Sequence, residues 1–281
     1  MNVAIVTDST AYMPADLLRQ YHIHVVPSIV NWSGQSFHDG VDMTAGEFFA
    51  RLKTDPVHPT TAAASIGEIR DIYASATDHA EAVVGIHLSA KLSGTYSAAV
   101  QVKELLPGKR VEVIDAETTA MAMGFVVLAA ARAAATGAPI ESVVEAARAT
   151  IPHVGLIFTV DTLEYLRRGG RIGGAAAFIG NLMDVKPLLA VRDGKVEPME
   201  RARTKKKAVA RVLELITEKV KGQSPVRLAT IHAAAEAEAR ALLDAASAQL
   251  SPVEAHLAEG SPTVCVHAGP GTVGLAWCAG L

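Results

Sequence analysis

Cysteine, aromatic residues, net charge and long apolar runs are all scarce in this 281-residue chain. Two cysteines, Cys265 and Cys278, make no disulfide framework and match no metal-ligand spacing, so we expect a reducing compartment. The net charge of −3 gives no general attraction to nucleic acid or to anionic membranes. No apolar run reaches the length of about 18 residues that spans a membrane, and the chain opens without a basic signal region. A cytoplasmic protein without stable membrane insertion is therefore expected.

The common motifs of catalysis and nucleotide binding are missing as well. The sequence has no phosphate-binding P-loop, no G-x-S-x-G nucleophile elbow and no H-E-x-x-H zinc motif. The pair His22 and His24 has no third metal ligand nearby in the sequence. Neither a metal nor a cofactor is expected.

The chain contains enough apolar residues to form a sizeable core, because half of its residues are hydrophobic. Its length predicts two domains. In the first half, apolar strands alternate with helical segments, which predicts a three-layer α/β/α domain with a mainly parallel sheet. In the second half, a hairpin signal at Arg192-Asp193-Gly194 interrupts the alternation and predicts a two-layer α/β domain with a mixed sheet. We place the boundary at Ile151-Pro152-His153, giving domains 1–152 and 153–281.

Three predicted elements lie close to candidate site residues. Residues 24–30 are predicted as one strand, and residues 175–182 as a helix of small residues. Residues 263–266 are rich in β-branched side chains and are predicted as a strand that leads to His267.

Hydroxyl and carboxyl side chains follow strand or loop ends at four places in the first half, each just before a predicted helix. These places are residues 7–10, 60–65, 89–95 and 115–119. The carboxyl ends of parallel strands meet at one edge of the sheet, where ligands bind. The same residue types are also the preferred helix N-caps, so each place taken alone fits a purely structural role.

The stretch Leu92-Ser93-Gly94-Thr95 is the most informative of the four. An apolar strand precedes it and a helical segment follows, so backbone N–H groups and the hydroxyls of Ser93 and Thr95 are directed beyond the strand end. Helix N-termini favour anions, and Gly94 lets the backbone approach a ligand closely. The pattern predicts a site for a small acidic group, with a capping role as the alternative.

The second half adds a histidine, an arginine and a basic run. His267 precedes a Gly-Pro-Gly turn and is placed either as a site residue or as a partly buried imidazole. Arg171 lies between two glycine pairs, which suggests that the backbone comes close to its guanidinium and holds it in place. The basic run 201–207, which includes Arg203, is either a solvated face or a docking patch for an acidic partner. Nucleic acid is disfavoured because no aromatic residues are interleaved with these charges.

Five motifs together resemble the DegV family of bacterial fatty-acid-binding proteins, and the resemblance spans the whole chain. They are Thr7-Asp8-Ser9-Thr10, Leu92-Ser93-Gly94-Thr95-Tyr96, Leu163-Glu164-Tyr165-Leu166 with Gly169-Gly170-Arg171-Ile172, Lys186-Pro187-Leu188-Leu189 and His267-Ala268-Gly269-Pro270-Gly271. The resemblance implies a lipid-binding carrier that holds one long-chain fatty acid, such as palmitate, between two α/β domains. In family members of the fatty-acid kinase type, a separate ATP-dependent kinase subunit converts that acid to acyl phosphate for phospholipid synthesis.

The resemblance also implies roles for individual residues. Thr61 and Ser93 would hold the fatty-acid carboxylate, and His267 would complete the network. The residues that it implies as supporting or kinase-facing are Arg171, Arg203, Thr95 and Gly94. The chain departs from the family at one loop, where Thr-Ser-Gln-Pro-Ser is replaced by Thr61-Ala62-Ala63-Ala64-Ser65. This departure bears on the geometry of the loop and on the preferred chain length.

An acyl chain would need a smooth apolar wall, and residues 121–128 and 175–179 are candidates for it. Burial of about 14 methylenes at about 0.8 kcal/mol each would supply roughly 11 kcal/mol before the costs of binding.

Two other functions remain open from the residues alone. In a lipid esterase or acyltransferase, Ser93 would be the nucleophile and His267 its base, with Asp8 or Asp115 as the orienting acid. The second is a binder of a small ketone or phosphorylated ligand, which the long apolar stretches disfavour.

Overall fold

The structure is a computed structural model that describes residues 2–78, 80–179 and 185–281. The strands are β1 (Val3–Asp8), β2 (His24–Val26), β3 (Ile29–Trp32), β4 (Gln35–His38), β5 (Thr60–Ala62), β6 (Ala82–His87), β7 (Arg110–Asp115), β8 (Val154–Thr159), β9 (Lys186–Arg192), β10 (Lys195–Ala202), β11 (Val226–His232), β12 (Glu254–Glu259) and β13 (Val273–Ala279). The helices are α1 (Ala15–Gln20), α2 (Ala45–Leu52), α3 (Ile66–Ala76), α4 (Thr95–Leu105), α5 (Ala120–Ala135), α6 (Ile140–Thr150), α7 (Glu164–Arg168), α8 (Lys205–Val220), α9 (Glu236–Leu250) and α10 (Pro262–Ala268). Short 3-10 helices cover Ser9–Ala11, Ile151–His153 and Gly173–Phe178.

The first half contains a parallel sheet of order β2-β1-β6-β7. Helices α3 and α4 pack on one face and α5 and α6 on the other. Every residue of β6 is buried, as expected for a central parallel strand that is covered on both sides. The predicted three-layer arrangement of this half is confirmed.

The second half contains a mixed sheet of order β10-β9-β8-β13-β11-β12, in which β11 and β12 run parallel and the other neighbours antiparallel. Asp193 and Gly194 form the tip of the β9–β10 hairpin with φ values of 47° and 73°, as a type I′ turn requires. Helices α8 and α9 cover one face of the sheet. The predicted mixed sheet with helices on one side is confirmed.

Helix α5 joins the two halves, because one of its sides packs on the parallel sheet and another on the mixed sheet. Eleven of its 16 residues are buried, which explains why its sequence is apolar all round. The hairpin tip adds a polar connection, since the Ser89 hydroxyl donates to the carbonyl of Gly194 at 2.9 Å. The division at 152/153 stays a prediction.

A small antiparallel sheet of order β4-β3-β5 was not predicted. The predicted strand 24–30 is wrong as a single element: β2 and β3 belong to different sheets, and Pro27, which has no N–H to donate, lies between them. Trp32 and Phe48 fill the space under the small sheet and pack with Cys265 of α10. The small sheet therefore connects Thr61, on β5, with α10.

The strand predicted for residues 263–266 is also wrong, because these residues lie in α10. Ser261 occupies the N-cap position and Pro262 the first helical position, where its missing N–H costs nothing. The strand β13 follows the Gly-Pro turn. The predicted helix 175–182 is a 3-10 helix, Gly173–Phe178, and residues 180–182 lie outside the described residues.

Candidate functional site

One cavity lies where the carboxyl edge of the parallel sheet meets the inner face of the mixed sheet. About 1050 Å³ of empty space lies within it, its open mouth included. Its apolar wall includes Leu88, Leu92, Leu156, Phe158, Val191 and Ile231. Its polar residues include Thr10, Ser28, Thr61, Ser93, Arg171 and His267.

The three residues predicted to hold an acid all border this cavity. Thr61 Oγ1 and His267 Nε2 lie 2.8 Å apart, which ties β5 to the last turn of α10. The Ser93 and Thr95 hydroxyls are 2.9 Å apart, and Ser93 Oγ also accepts from the backbone N–H of Thr95 at 3.3 Å. The structure thus places hydroxyls from β5 and from the Leu-Ser-Gly-Thr loop of the first half, and an imidazole from the second half, around one cavity.

His267 is held as a neutral ring. Burial, with the positive charge of Arg171 and the proximity of His58 as smaller causes, lowers the pKa of His267 to about 4. The ring packs against Gly169, where any side chain would clash with Nδ1. A neutral ring that carries its proton on Nε2 donates to Thr61, which leaves the Thr61 proton free for an anion.

Arg171 brings positive charge to the same end of the cavity. Its Nε donates to the carbonyl of Leu92 at 3.0 Å, and its Nη1 donates to the carbonyl of Gly169 at 2.8 Å. Gly170 has a φ of 69° but open space around it, whereas a side chain on Gly173 would clash with the carbonyl of Val196. These contacts fix the guanidinium between the Leu-Ser-Gly-Thr loop and the glycine loop after α7.

Gly94 is the N-cap of α4 and borders the cavity beside Ser93. A Cβ built on Gly94 would meet no atom within 4 Å, so the space next to the helix N-terminus is open. The helix dipole adds partial positive charge there. Arg203, by contrast, is exposed and does not border the cavity.

A buried chain of polar side chains was missed from the sequence. Asp8 Oδ2 accepts from His87 Nδ1 and from the backbone N–H of Leu88, both at 3.0 Å. His87 Nε2 lies 2.7 Å from the Tyr73 hydroxyl, and the side chains of Asp8 and His87 are fully buried. The sequence signals were the carboxylate of Asp8 at one strand end and a histidine at the end of another apolar strand. This network holds the strand ends from which the Leu-Ser-Gly-Thr loop departs.

The residues considered for an esterase do not assemble. Asp8 is engaged with His87, and Asp115 accepts from the backbone N–H groups of Ala90 and Glu117. Within the described ranges, no hydrogen bond joins Ser93 to His267. The same ranges contain no cluster of three or more histidine, cysteine or acidic residues that could hold a metal ion.

The predicted apolar walls are wrong. Residues 121–128 and 175–179 do not border the cavity; Met121, Leu128 and Ala175 are fully buried core residues instead. The wall is formed by inward-facing residues of the mixed sheet, such as Leu156 and Phe158 on β8, together with Leu88 and Leu92 from the first half. In the described part of the chain, no helix is both long and apolar enough to cross a membrane.

The adjacent glycines Gly169 and Gly170 offer a matched test of the His267 position. We expect Gly169→Ala to displace the His267 ring and to weaken binding of the fatty acid that the sequence resemblance implies about 5- to 150-fold, since overpacking costs about 1–3 kcal/mol. Gly170→Ala meets no neighbouring atom and adds only backbone strain, so binding should stay within about threefold. Titration of both variants with a fluorescent fatty acid compares the two, and equal affinities would contradict the prediction.

Comparison with known proteins supplies the family. The model of a family described as "Uncharacterised protein, DegV family" matches residues 2–280. A DegV domain-containing protein of Streptomyces coelicolor is 39% identical over 98% of this chain and 97% of its own length. A DegV family protein of Thermus thermophilus, whose structure is described as showing fatty acid binding, superposes with a TM-score of 0.94 at 34% identity, covering 99% of this chain and 100% of its own. DegV of Bacillus subtilis, described as a fatty acid binding protein, superposes with a TM-score of 0.91 at 34% identity over 99% of both chains. The chain described here belongs to the DegV family.

Proposed function

We propose that this chain binds one long-chain fatty acid in the cavity between its two sheets. The observation that carries the proposal is a polar cluster beside an apolar wall: Thr61 contacts His267, Arg171 donates to the Leu92 carbonyl next to Ser93, and apolar side chains of the mixed sheet border the same cavity. Fatty acid binding by the Thermus thermophilus and Bacillus subtilis relatives supports it.

The physical chemistry of the cavity fits an acyl chain with an acidic head. Each methylene that leaves water contributes about 0.8 kcal/mol, so the tail supplies most of the affinity. A carboxylate carried in with the tail is costly unless donors meet it. Thr61 and Ser93 supply hydroxyl donors, the N-terminus of α4 supplies backbone N–H groups, and Arg171 supplies the compensating charge.

The chain acts in this proposal as a carrier and not as an enzyme. The family resemblance adds a separate ATP-dependent kinase that receives the carboxylate and forms acyl phosphate. The exposed basic run that includes Arg203 is a suitable docking surface for such a partner. The proposal places the protein in the cytoplasm, where its cysteines Cys265 and Cys278 would stay unpaired.

Organic extraction and mass spectrometry test the proposal directly. We expect about one long-chain fatty acid per chain in purified protein that has not been delipidated. Protein that carries no fatty acid and takes none up from solution would refute the proposal. Hydrolysis of a p-nitrophenyl ester that is abolished by Ser93→Ala would favour the esterase instead.

The hydroxyl donors give a second, quantitative test. We expect Thr61→Val and Ser93→Ala each to weaken fatty acid binding about ten- to hundredfold, because a hydrogen bond to a charged group contributes about 1.5–3 kcal/mol. The exposed neighbours Thr60 and Ser97 provide matched controls in Thr60→Val and Ser97→Ala, which should leave the affinity unchanged. Wild-type affinity and unchanged acyl-phosphate formation with the kinase in both site variants would contradict the assignment.

A further inference from the structure

A second cleft lies directly behind the cavity. It encloses about 940 Å³, open mouth included, and its apolar side is formed by Met13, Pro14, Leu18, Val25 and Leu257. Among the residues that the structure describes, Tyr12 alone borders both the cavity and this outer cleft. The ring of Tyr12 is therefore part of the wall between the two spaces.

The position of Tyr12 is far from the acid-binding end of the cavity. Its hydroxyl lies beside Gly260, where a built Cβ would be 3.3 Å from the hydroxyl oxygen. Gly260 precedes the N-terminus of α10, whereas His267 lies in the last turn of that helix. At 1.5 Å per residue, the helix rises about 7.5 Å between Pro262 and His267. The Tyr12 hydroxyl thus lies near the N-terminal end of α10, whereas the imidazole lies near its C-terminal end.

The backbone at Tyr12 shows that its place is set by its surroundings. Tyr12 follows the 3-10 helix Ser9–Ala11 with φ 58° and ψ 29°, a left-handed conformation that is costly for a bulky residue. The side chain is nevertheless buried, at 8% exposure, and packs in the core between the two halves. Replacing Tyr12 by glycine would remove the ring without straining the backbone, because glycine adopts this conformation freely.

We propose that Tyr12 is a specificity-determining residue that limits the length of the acyl chain the cavity accepts, and that the outer cleft receives the end of a longer chain when the ring is removed. This inference rests on the proposed function. An acid that ends before Tyr12 is fully enclosed, whereas a longer acid must displace the ring. With the ring removed, additional methylenes reach the apolar side of the outer cleft and leave water.

Binding of a series of saturated acids tests the inference. Dissociation constants are measured by displacement of a fluorescent fatty acid, for acids from about 14 to about 22 carbons. We expect the wild-type affinity to rise with chain length and then to fall beyond a limit. In Tyr12→Gly the limit moves to longer acids, and each newly buried methylene strengthens binding about fourfold. Tyr12→Phe keeps the ring and should retain the wild-type limit.

Two further variants make the outcome decisive. Tyr12→Leu fills part of the space and should shift the limit by a smaller amount, which keeps the test available if Tyr12→Gly does not fold. Val41→Ala changes an exposed residue of the outer cleft alone and should shift nothing. An unchanged limit in folded Tyr12→Gly or Tyr12→Leu, or an equal shift in Val41→Ala, would overturn the role of Tyr12 while leaving fatty acid binding intact. A wild type that binds no acid of any length would instead refute the proposed function.

Discussion

Asp8→Ala is expected to lower the free energy of unfolding by about 3–5 kcal/mol, because it removes the acceptor for several buried donors at once. Asp8 Oδ2 accepts from His87 Nδ1 and Leu88 N–H, and Oδ1 accepts from the N–H of Thr10 at 3.1 Å and from its hydroxyl. These donors lie where water cannot replace the lost partner. Chemical denaturation with urea measures the loss.

A neighbouring aspartate gives the matched control for this prediction. Asp115 ends β7 beside His87 and accepts two backbone hydrogen bonds, but its carboxylate is only partly buried. Asp115→Ala should therefore cost about 1 kcal/mol. Asp8→Asn keeps part of the acceptor capacity and should fall between the two. A loss below about 1 kcal/mol in Asp8→Ala would show that the buried network contributes little to stability.

The stability of the ligand-free protein is expected to fall with pH in a way that depends on His267. Its pKa is lowered from 6.5 in the unfolded chain to about 4 in the folded protein, mainly by burial. The folded state thus favours the neutral ring, so this contribution to stability is fully present above pH 6.5 and is lost as the pH falls toward 4. The shift corresponds to a loss of up to about 3 kcal/mol over that range.

A difference measurement isolates this effect from other titrating groups. Burial also lowers the pKa of His24, His58 and His232, and these residues are common to the wild type and to His267→Asn. Unfolding free energies of both proteins, measured between pH 7 and pH 4, should converge as the pH falls. Parallel curves with a constant separation would show that His267 does not carry the proposed dependence.

The loop Leu92-Ser93-Gly94-Thr95 was predictable because its structure is local. A strand, a glycine turn and a helix follow one another in the sequence, and the edge to which they are directed follows from parallel pairing alone. Arg171 was predictable for a similar reason, since paired glycines within a few residues predict an irregular backbone. Arg203 was only a basic residue in a charged run, and the structure leaves it at the surface.

The secondary structure around His267 was not predictable from residue preferences. Thr263, Val264 and Val266 favour a strand when taken locally, but helix α10 buries Cys265 and Val266 against the small sheet. Packing overrides such preferences when a helix buries more apolar surface than a strand would at the same place. The same limit explains the missed strand β5, which has three residues and acquires a sheet partner only through β3.

The residues that form the cavity wall could not be predicted from the sequence, for a different reason. Helix α5 is apolar on every side, and the sequence does not say which of its faces meets a ligand and which meets a sheet. In the structure both of its faces pack on sheets, and the cavity wall is formed mainly by the inner face of the mixed sheet, with Leu88 and Leu92 from the first half. An apolar pattern reports burial, but it does not distinguish burial against protein from burial against an acyl chain.

The strand and helix alternation around the parallel sheet, the β9–β10 hairpin and the hydroxyl-rich strand ends were determined by the sequence itself, because periodicity, turn chemistry and parallel pairing act over short stretches of chain. Only the tertiary structure decided that Thr61 would contact His267, which lies 206 positions later in the chain. It decided as well that Asp8 would accept a hydrogen bond from His87 and not orient a catalytic histidine. It also decided that Tyr12 would separate the cavity from the cleft behind it. Such contacts arise from the docking of two sheets on one shared helix, and the energies that select them are spread over many side chains distant in sequence.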